Sequence, residues 1–269
     1  MMTWLFWAVT ARASTTCQSP DVLDTLVVSS WNTWGLPAPM SKDRKARFKR
    51  IDEDLEAPDA DLVALQEVWG GARPLLPKVK LIAREEDSGL AFVSPKRTLR
   101  DISFHPFVVN GRFEGWKTKG VLAAMSELAD GTDLMVVNTH FQAGQSERWA
   151  RNRASDTDVL LEAVDGWAGP VLVAGDFNFY SESPTDADNA ERLWDAGFAD
   201  VAEALGAVTV TYPRERERFD RIYLRSGDEV CLQPLAFDVN EYQGMRLSDH
   251  KRVMATIQAT RDGTTAPVE

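Results

Sequence analysis

A short apolar run at residues 170–174 ends in Gly175-Asp176-Phe177-Asn178. A run of this kind is typical of a buried strand, and side chains along a strand repeat with period two. Asp176 and Asn178 should therefore emerge on the same side. Gly175 lets the backbone turn or lets a ligand approach closely. A carboxylate and an amide held side by side suit a phosphate and a hard metal ion, so the pattern predicts a site at this strand end.

Other apolar runs are also bordered by polar residues, and residues 219–224 indicate a further strand that carries Asp220. Strand ends of a rigid sheet bring together residues that are distant in sequence. Because one site needs both ends of the chain, we expect a single domain over residues 21–260 and a frayed tail at 261–269. The polar segments are Asn32-Thr33-Trp34 after 26–31, Gln66-Glu67 after 61–65, Asn138-Thr139-His140 after 134–137, and Ser248-Asp249-His250 before 253–257.

Taken in order, these motifs resemble the endonuclease/exonuclease/phosphatase superfamily, which includes DNase I, inositol polyphosphate 5-phosphatases and neutral sphingomyelinases. The resemblance extends from about residue 26 to residue 257. It implies the DNase I-like α/β fold, a four-layer sandwich in which two packed mixed β-sheets are flanked by helices. Residues 31–37, Lys119-Gly120 and residues 138–143 look most like the branch of neutral sphingomyelinases and phospholipase C-like enzymes.

Between the strands, three segments have helical patterns: residues 41–56, 146–164 and 188–195. In the first of them, Phe48, Ile51 and Leu55 fall on one face and should point inward. Residues 208–212 are predicted to form a hairpin with residues 218–224, which favours a mixed sheet over a purely parallel one.

The chain is acidic, with a formal net charge of −11, and 44% of its residues are hydrophobic. Nucleic-acid binders usually carry a basic face, so the charge counts moderately against such a partner. The densest basic run, residues 42–50, is interpreted as the solvated face of a helix. A lipid headgroup is the favoured partner. Transient membrane contact is possible, since Trp31, Trp34 and Trp116 lie near motif segments, although Trp31 itself is expected in the core. We expect a monomer.

The resemblance implies that Glu67 is the principal ligand of a Mg²⁺ ion, with Asn32 and Asp249 assisting. Mg²⁺ takes oxygen ligands, few of them from protein, and keeps several waters. Taken alone, Glu67 would be an ordinary strand-end carboxylate in solvent.

His250 is the candidate general base, because a histidine near its usual pKa accepts a proton from water at neutral pH. Such a base needs an orienting partner on its other ring nitrogen. The resemblance assigns that part to Asp220. The alternative, which stays open at this point, is that Asp220 forms a salt bridge with Arg218 or Arg221.

The resemblance also assigns roles at the phosphate. His140 would contact a non-bridging oxygen, Asn178 would donate to the phosphoryl group, and Asp176 would orient the attacking water or assist the leaving oxygen. Lys119 could add a positive charge near the phosphate, or it could be a surface lysine before a strand.

Residues 1–20 are interpreted as a leader and as the remnant of a secretion signal. An apolar stretch at residues 4–9 precedes Ala11-Arg12-Ala13, although no Lys or Arg comes before it. We therefore expect a secreted or periplasmic protein, with the cytoplasm as the alternative. Cys17 and Cys231 could pair in a secreted protein or remain separate thiols in a cytosolic one.

The function we predict is a Mg²⁺-dependent phosphodiesterase in which water attacks phosphorus in line, with a phospholipid such as sphingomyelin as the favoured substrate. The alternatives on the same site are a secreted DNase I-like endonuclease and an inositol-phosphate phosphatase. A binding module with a decayed site is a further alternative, and the intact set of motifs counts against it.

Overall fold

The structure is a computed structural model that describes residues 17, 19–108, 117–240 and 245–261. Most of the predicted leader, Trp116 and the tail beyond Arg261 lie outside these residues. Within them, eleven strands and four helices follow in order, joined in places by short 3-10 turns. None of these helices combines the length and apolar character that crossing a membrane requires.

The strands are β1 (Val22–Asn32), β2 (Leu62–Gln66), β3 (Ala91–Val93), β4 (Arg100–Pro106), β5 (Gly120–Glu127), β6 (Asp133–His140), β7 (Val171–Asp176), β8 (Ala199–Asp200), β9 (Asp220–Arg225), β10 (Val230–Asn240) and β11 (Arg252–Arg261). The helices are α1 (Arg44–Glu56), α2 (Glu147–Ala163), α3 (Pro184–Asp195) and α4 (Val201–Ala204). The last strand includes Arg261, which the sequence analysis assigned to the tail.

The strands form two mixed sheets, with the orders β10-β11-β1-β2-β3 and β4-β5-β6-β7-β9-β8. Each sheet has one parallel pair, β1 with β2 and β6 with β7. Helix α1 joins the first pair and α2 joins the second. The other strand pairs are antiparallel. The carboxyl ends of both parallel pairs carry the polar motifs.

Period-two alternation places the core between the sheets. In β2, Leu62 and Ala64 face the central apolar layer, whereas Val63 and Leu65 face α1. The central layer also contains Leu26 and Val28 of the first sheet, and Leu122, Val136, Leu172 and Ile222 of the second. Helix α2 covers the outer face of the second sheet. The predicted four-layer sandwich of two mixed sheets and flanking helices is confirmed.

The helix predictions agree with the structure in outline. Phe48, Ile51 and Leu55 are all buried, and Trp31 is also in the core. Helix α3 begins at Pro184, earlier than predicted, because Ser183 caps it by accepting a hydrogen bond from Asp186 N.

The predicted hairpin of residues 208–212 with 218–224 is wrong. Strand β9 lies between β7 and β8 and forms no ladder with the earlier segment, whose one β-bridge joins Tyr212 to Glu217, just before the later segment. A side chain replaces the strand ladder there: Thr211 Oγ1 accepts hydrogen bonds from the N–H groups of Phe219 and Asp220, both at 3.1 Å.

Cys17 and Cys231 form a disulfide, with their Cα atoms 5.7 Å apart. The bond ties the segment before β1 to β10. It closes a loop with a sequence separation of 214 residues, and a long closed loop restricts the unfolded chain strongly.

Replacing both cysteines (Cys17→Ser with Cys231→Ser) is expected to lower the free energy of unfolding by about 2–4 kcal/mol, since the unfolded chain regains loop entropy. Urea unfolding followed by tryptophan fluorescence measures the change. Wild-type protein treated with a reductant serves as the control and should show the same loss. An unchanged urea midpoint in both samples would contradict this account of the bond.

Candidate active site

Three of the predicted site residues lie side by side on neighbouring strands of the second sheet. In the strand register, His140 on β6 is paired with Asp176 on β7, and Asp176 is paired with Asp220 on β9. Asn32 and Gln66 are paired in the same way at the ends of β1 and β2 in the first sheet. The two sheets therefore bring their polar strand ends to one edge of the sandwich.

Two glycines allow this close packing. A Cβ atom at Gly175 would lie 2.4 Å from the carbonyl oxygen of Thr139 on the neighbouring strand, and one at Gly35 would lie 1.8 Å from the carbonyl oxygen of Glu67. Any side chain at either position would push apart segments that carry site residues.

The Asn32 side chain connects the two sheets. Its Nδ2 donates to Asp176 Oδ2 at 2.9 Å and to Glu67 Oε1 at 3.2 Å. Its Oδ1 accepts from Trp34 N at 2.9 Å. One buried amide thus sets the spacing between a carboxylate of each sheet.

Glu67 directly follows β2 and has a positive φ of 60°. The residue is partly exposed, but its Oε2 atom is buried and has no hydrogen-bond partner among the described residues. Burial and the nearby Asp249 carboxylate raise the pKa of Glu67 to about 7. Asp249, also partly buried, has its own pKa raised by burial. His250 and Lys119 offset part of the effect at Glu67, as His250 and Arg246 do at Asp249, but burial remains the larger effect.

His250 and Asp220 form a buried dyad in which His250 Nδ1 lies 2.9 Å from Asp220 Oδ2. Burial of the imidazole lowers its pKa, but the carboxylates of Asp220 and Asp176 outweigh that effect and raise the pKa of His250 to about 10. Its other nitrogen, Nε2, points towards Asp176, 3.7 Å from Oδ2. This is the geometry of a histidine oriented by one carboxylate with its other nitrogen available.

The alternative ion pair for Asp220 is wrong. Arg218 donates to both oxygens of Asp200, at 2.9 and 2.8 Å, and to Glu203 at 2.6 Å. Arg221 also turns to Asp200, at 3.0 Å. The two arginines next to Asp220 in sequence are thus neutralised by Asp200 and Glu203 on the far side of the strand.

His140 is buried with its Nε2 3.5 Å from Asp176 Oδ2. Burial lowers its pKa well below the usual range, and the positive charges of Lys119 and His250 lower it further. The two histidines of the site therefore differ: the surroundings of His140 favour the neutral imidazole, whereas the carboxylates around His250 favour the protonated form. Burial raises the pKa of Asp176, whose Oδ1 also accepts from Asn178 N at 3.1 Å.

Asn178 and Lys119 converge on the same backbone oxygen. Asn178 Nδ2 donates to Phe141 O at 3.2 Å, and Lys119 Nζ donates to it at 3.0 Å. Lys119 is only 2% exposed, so the surface-lysine alternative is wrong. Asn178 and Lys119 thus hold the loop that follows His140. All nine predicted site residues lie at this edge of the sandwich.

Four other residues of the site were given no role from the sequence. Gln66 Nε2 donates to Asn138 Oδ1 at 2.8 Å, which joins the sheets directly behind Glu67 and His140. The Tyr212 ring lies 4.6 Å from the His250 ring, and the Trp69 ring lies 6.4 Å from His140. Gln66 and Asn138 belonged to recognised motifs, but no pattern in the sequence marked Tyr212 or Trp69.

One group of side chains in the described part of the chain is compact enough to hold a metal ion: one atom each from Asp176, Asp220 and His250 lie within 4.8 Å of one another. The His250–Asp220 hydrogen bond already engages Nδ1 of His250 and Oδ2 of Asp220. Glu67 Oε2 is buried, and like Asp220 Oδ1 it has no hydrogen-bond partner among the described residues.

Comparison with known proteins agrees with this geometry. Residues 29–250 match the Endonuclease/Exonuclease/phosphatase family. The chain belongs to this family. Two relatives are a "Putative neutral sphingomyelinase" of Drosophila melanogaster, 26% identical over 87% of this chain, and an inositol phosphosphingolipids phospholipase C of Schizosaccharomyces pombe, 32% identical over 57% of it. The chain spans 60% and 41% of the lengths of these two proteins.

Solved structures support the fold assignment. TDP2 of D. rerio complexed with a single-strand DNA product has a TM-score of 0.73 and 21% identity, with 87% of this chain and 98% of that chain covered. A mutant of Staphylococcus aureus beta toxin with bound magnesium ions has a TM-score of 0.64 and 18% identity, with 86% and 98% covered. At these identities the likeness shows the shared endonuclease/exonuclease/phosphatase fold.

The Asp220–His250 dyad gives a testable prediction. Asp220→Asn keeps the shape but removes the charge, so we expect kcat/KM for a phosphodiester to fall about 100-fold or more. The acid limb of the pH profile should also move to lower pH, because His250 loses a carboxylate that raises its pKa. The matched control is Glu203→Gln, which changes a carboxylate bound to Arg218 and Arg221. Equal activity and equal pH profiles for the two variants would refute the dyad.

Proposed function

We propose that the protein is a Mg²⁺-dependent phosphodiesterase that hydrolyses a phospholipid such as sphingomyelin by in-line attack of water, in the manner of a phospholipase C. The observation that carries the proposal is the presence of two features at one edge of the sandwich. A buried carboxylate oxygen of Glu67 has no hydrogen-bond partner among the residues that the structure describes, and the His250–Asp220 dyad lies on the other side of Asn32 and Asp176.

The donor set fits a hard divalent cation. Glu67 and Asp249 offer carboxylate oxygens with raised pKa values, and burial is the largest cause for both. Mg²⁺ prefers such oxygen ligands, and no thiolate is available in the described site to favour a softer metal. The bound magnesium in the beta toxin structure is consistent with this choice.

Glu67 would be the principal metal ligand, with Asn32 and Asp249 assisting. We favour this set over Asp176, Asp220 and His250, because a metal on His250 Nδ1 would break the 2.9 Å bond to Asp220. When bound, the cation would offset charge on the phosphate and the leaving oxygen and would lower the pKa of His250.

The remaining residues act around the phosphate. His250, oriented by Asp220, takes a proton from the attacking water, and Asp176 orients that water or assists the leaving oxygen. His140 is neutral and donates to a non-bridging oxygen, with Asn178 as a second donor. The ammonium group of Lys119 is bound to Phe141 O, so Lys119 contributes its positive charge from beneath the loop that follows His140.

The choice of a lipid substrate rests on charge and on the relatives. A net charge of −11 does not favour a polyanion such as DNA, whereas a zwitterionic phosphocholine group makes no such demand. Two relatives are named as a neutral sphingomyelinase and an inositol phosphosphingolipids phospholipase C. The rivals are a nuclease, which the DNA-bound TDP2 structure keeps open, and an inositol-phosphate phosphatase.

We also propose that the protein is secreted or periplasmic and acts as a monomer. The Cys17–Cys231 disulfide supports an oxidising compartment, since such bonds are rare in the cytosol.

A substrate panel tests the proposal. With Mg²⁺, purified protein should release phosphocholine from sphingomyelin or phosphatidylcholine in mixed micelles faster than it nicks plasmid DNA or dephosphorylates inositol phosphates. EDTA should abolish the activity, and Glu67→Gln should lower it by orders of magnitude with the fold intact by circular dichroism. Rapid plasmid nicking without phosphocholine release would reverse the substrate assignment, and full activity in EDTA would refute the metal.

A further inference from the structure

An uncharged apolar loop lies beside the site and projects into solvent. It follows Trp34 and Gly35 and comprises residues 36–40, of which Pro37, Ala38, Pro39 and Met40 are exposed. Met40 is 58% exposed and continues the exposed apolar stretch of Pro37, Ala38 and Pro39, so the loop presents a contiguous apolar patch rather than a single apolar side chain. The two prolines carry no N–H group, and the N–H groups of Met40 and Ser41 both donate to Pro37 O. The loop tip therefore presents little unsatisfied polar backbone.

A basic segment follows the loop directly. Residues 42–50 contain six Lys or Arg residues and one Asp in a chain whose net charge is −11. Lys42, Lys45 and Lys49 are exposed, and none of them forms an ion pair with another described residue. Lys45 and Lys49 are four residues apart on α1 and so share one side of the helix.

Two arginines of the same segment donate hydrogen bonds to backbone carbonyl groups. Arg47 is buried and donates to Thr33 O at 3.0 Å, Trp34 O at 2.8 Å and Leu247 O at 2.7 Å. Arg44 donates to Gly35 O at 3.3 Å. These bonds connect the residues just before the apolar loop to α1 and to the segment before His250. The loop, the lysines of α1 and the site are thus tied to one another by hydrogen bonds.

We propose that residues 36–40 together with Lys42, Lys45 and Lys49 form a docking surface for an anionic lipid bilayer. The apolar tip would enter the region between headgroups and acyl chains, and the lysines would meet anionic headgroups. Because Gly35 packs against the Glu67 carbonyl, docking would bring the mouth of the site to the membrane surface. The inference rests on the proposed lipid substrate and adds the surface by which that substrate is reached.

A bilayer suits the surface better than a nucleic acid does. Phosphates of a nucleic acid would pair with the lysines but would gain nothing from the exposed Pro-Ala-Pro-Met tip, which has no side-chain donors for bases and no aromatic ring on which a base could stack. A membrane interface uses both parts of the surface, since it offers apolar contact and negative charge within a few ångströms.

Vesicle binding tests the proposal separately from catalysis. Sedimentation with phosphatidylcholine vesicles, with and without phosphatidylserine, is carried out in EDTA so that no lipid is hydrolysed. We expect wild-type protein to bind, and to bind more tightly when phosphatidylserine is present. Met40→Asp and Lys45→Glu should each weaken binding to the anionic vesicles about tenfold or more.

Two matched control variants change residues outside the docking surface. Val22→Asp changes a half-exposed apolar residue at the start of β1, whereas the site lies at the end of that strand, and Lys80→Glu reverses an exposed charge outside the docking surface. Both controls should bind vesicles like wild type. Met40→Asp should hydrolyse the soluble diester bis(p-nitrophenyl) phosphate at the wild-type rate.

The results separate the docking surface from the proposed hydrolase activity. Absence of vesicle binding by wild type, or equal loss in Met40→Asp and Val22→Asp, would overturn the docking surface and leave the proposed hydrolase intact. Binding of single-stranded DNA without vesicle binding, lost in Lys45→Glu, would assign the surface to nucleic acid instead. Vesicle binding that depends on Met40 without any lipid hydrolysis in Mg²⁺ would support the surface and refute the proposed function.

Discussion

Buried side-chain amides hold the two sheets in the alignment on which the site depends. Asn32 bonds Glu67 of one sheet and Asp176 of the other, and Gln66 bonds Asn138 across the same layer. Leaving one such buried amide unpaired would cost about 1–3 kcal/mol, so the sheets have little freedom to slide. Apolar packing between the sheets is non-directional, and it is these polar bonds that give the strand ends a defined register.

The resulting site is a cluster of buried and partly buried acid groups. Without a cation, the acidic setting is relieved by protons: the pKa values of Glu67, Asp176 and Asp249 are all raised, with burial as the largest cause, and His250 is held as an imidazolium. Burying unpaired charge is costly, and a site that takes up protons in this way is poised to exchange them for a metal ion. The two histidines differ because the carboxylates raise the pKa of His250, whereas burial and the positive charges of Lys119 and His250 lower the pKa of His140.

Much of this arrangement was predictable from the sequence, because strand ends impose it. The ordered motifs implied the sandwich and placed Asp176 at a strand end. The period-two argument does not extend to Asn178, because β7 ends at Asp176 and Asn178 has a positive φ of 51°; its N–H donates to Asp176 Oδ1 instead. Contacts between distant segments were not predictable in the same way. The Thr211 side chain replaces the expected hairpin, Asp200 draws Arg218 away from Asp220, and Tyr212 reaches His250. Each of these depends on how the sheets pack, which a local pattern does not encode.

The central claim, that buried acid groups around Glu67 hold a divalent cation, is tested most directly by calorimetric titration with Mg²⁺ at pH 6 and pH 8. Because the pKa of Glu67 is raised to about 7, its carboxyl must lose a proton before binding at pH 6. The account predicts about tenfold weaker binding at pH 6 than at pH 8, with proton release. Glu67→Gln should lose the binding at both pH values, whereas the exposed Glu127→Gln should not. Binding of Mg²⁺ by Glu67→Gln with wild-type affinity would contradict the account.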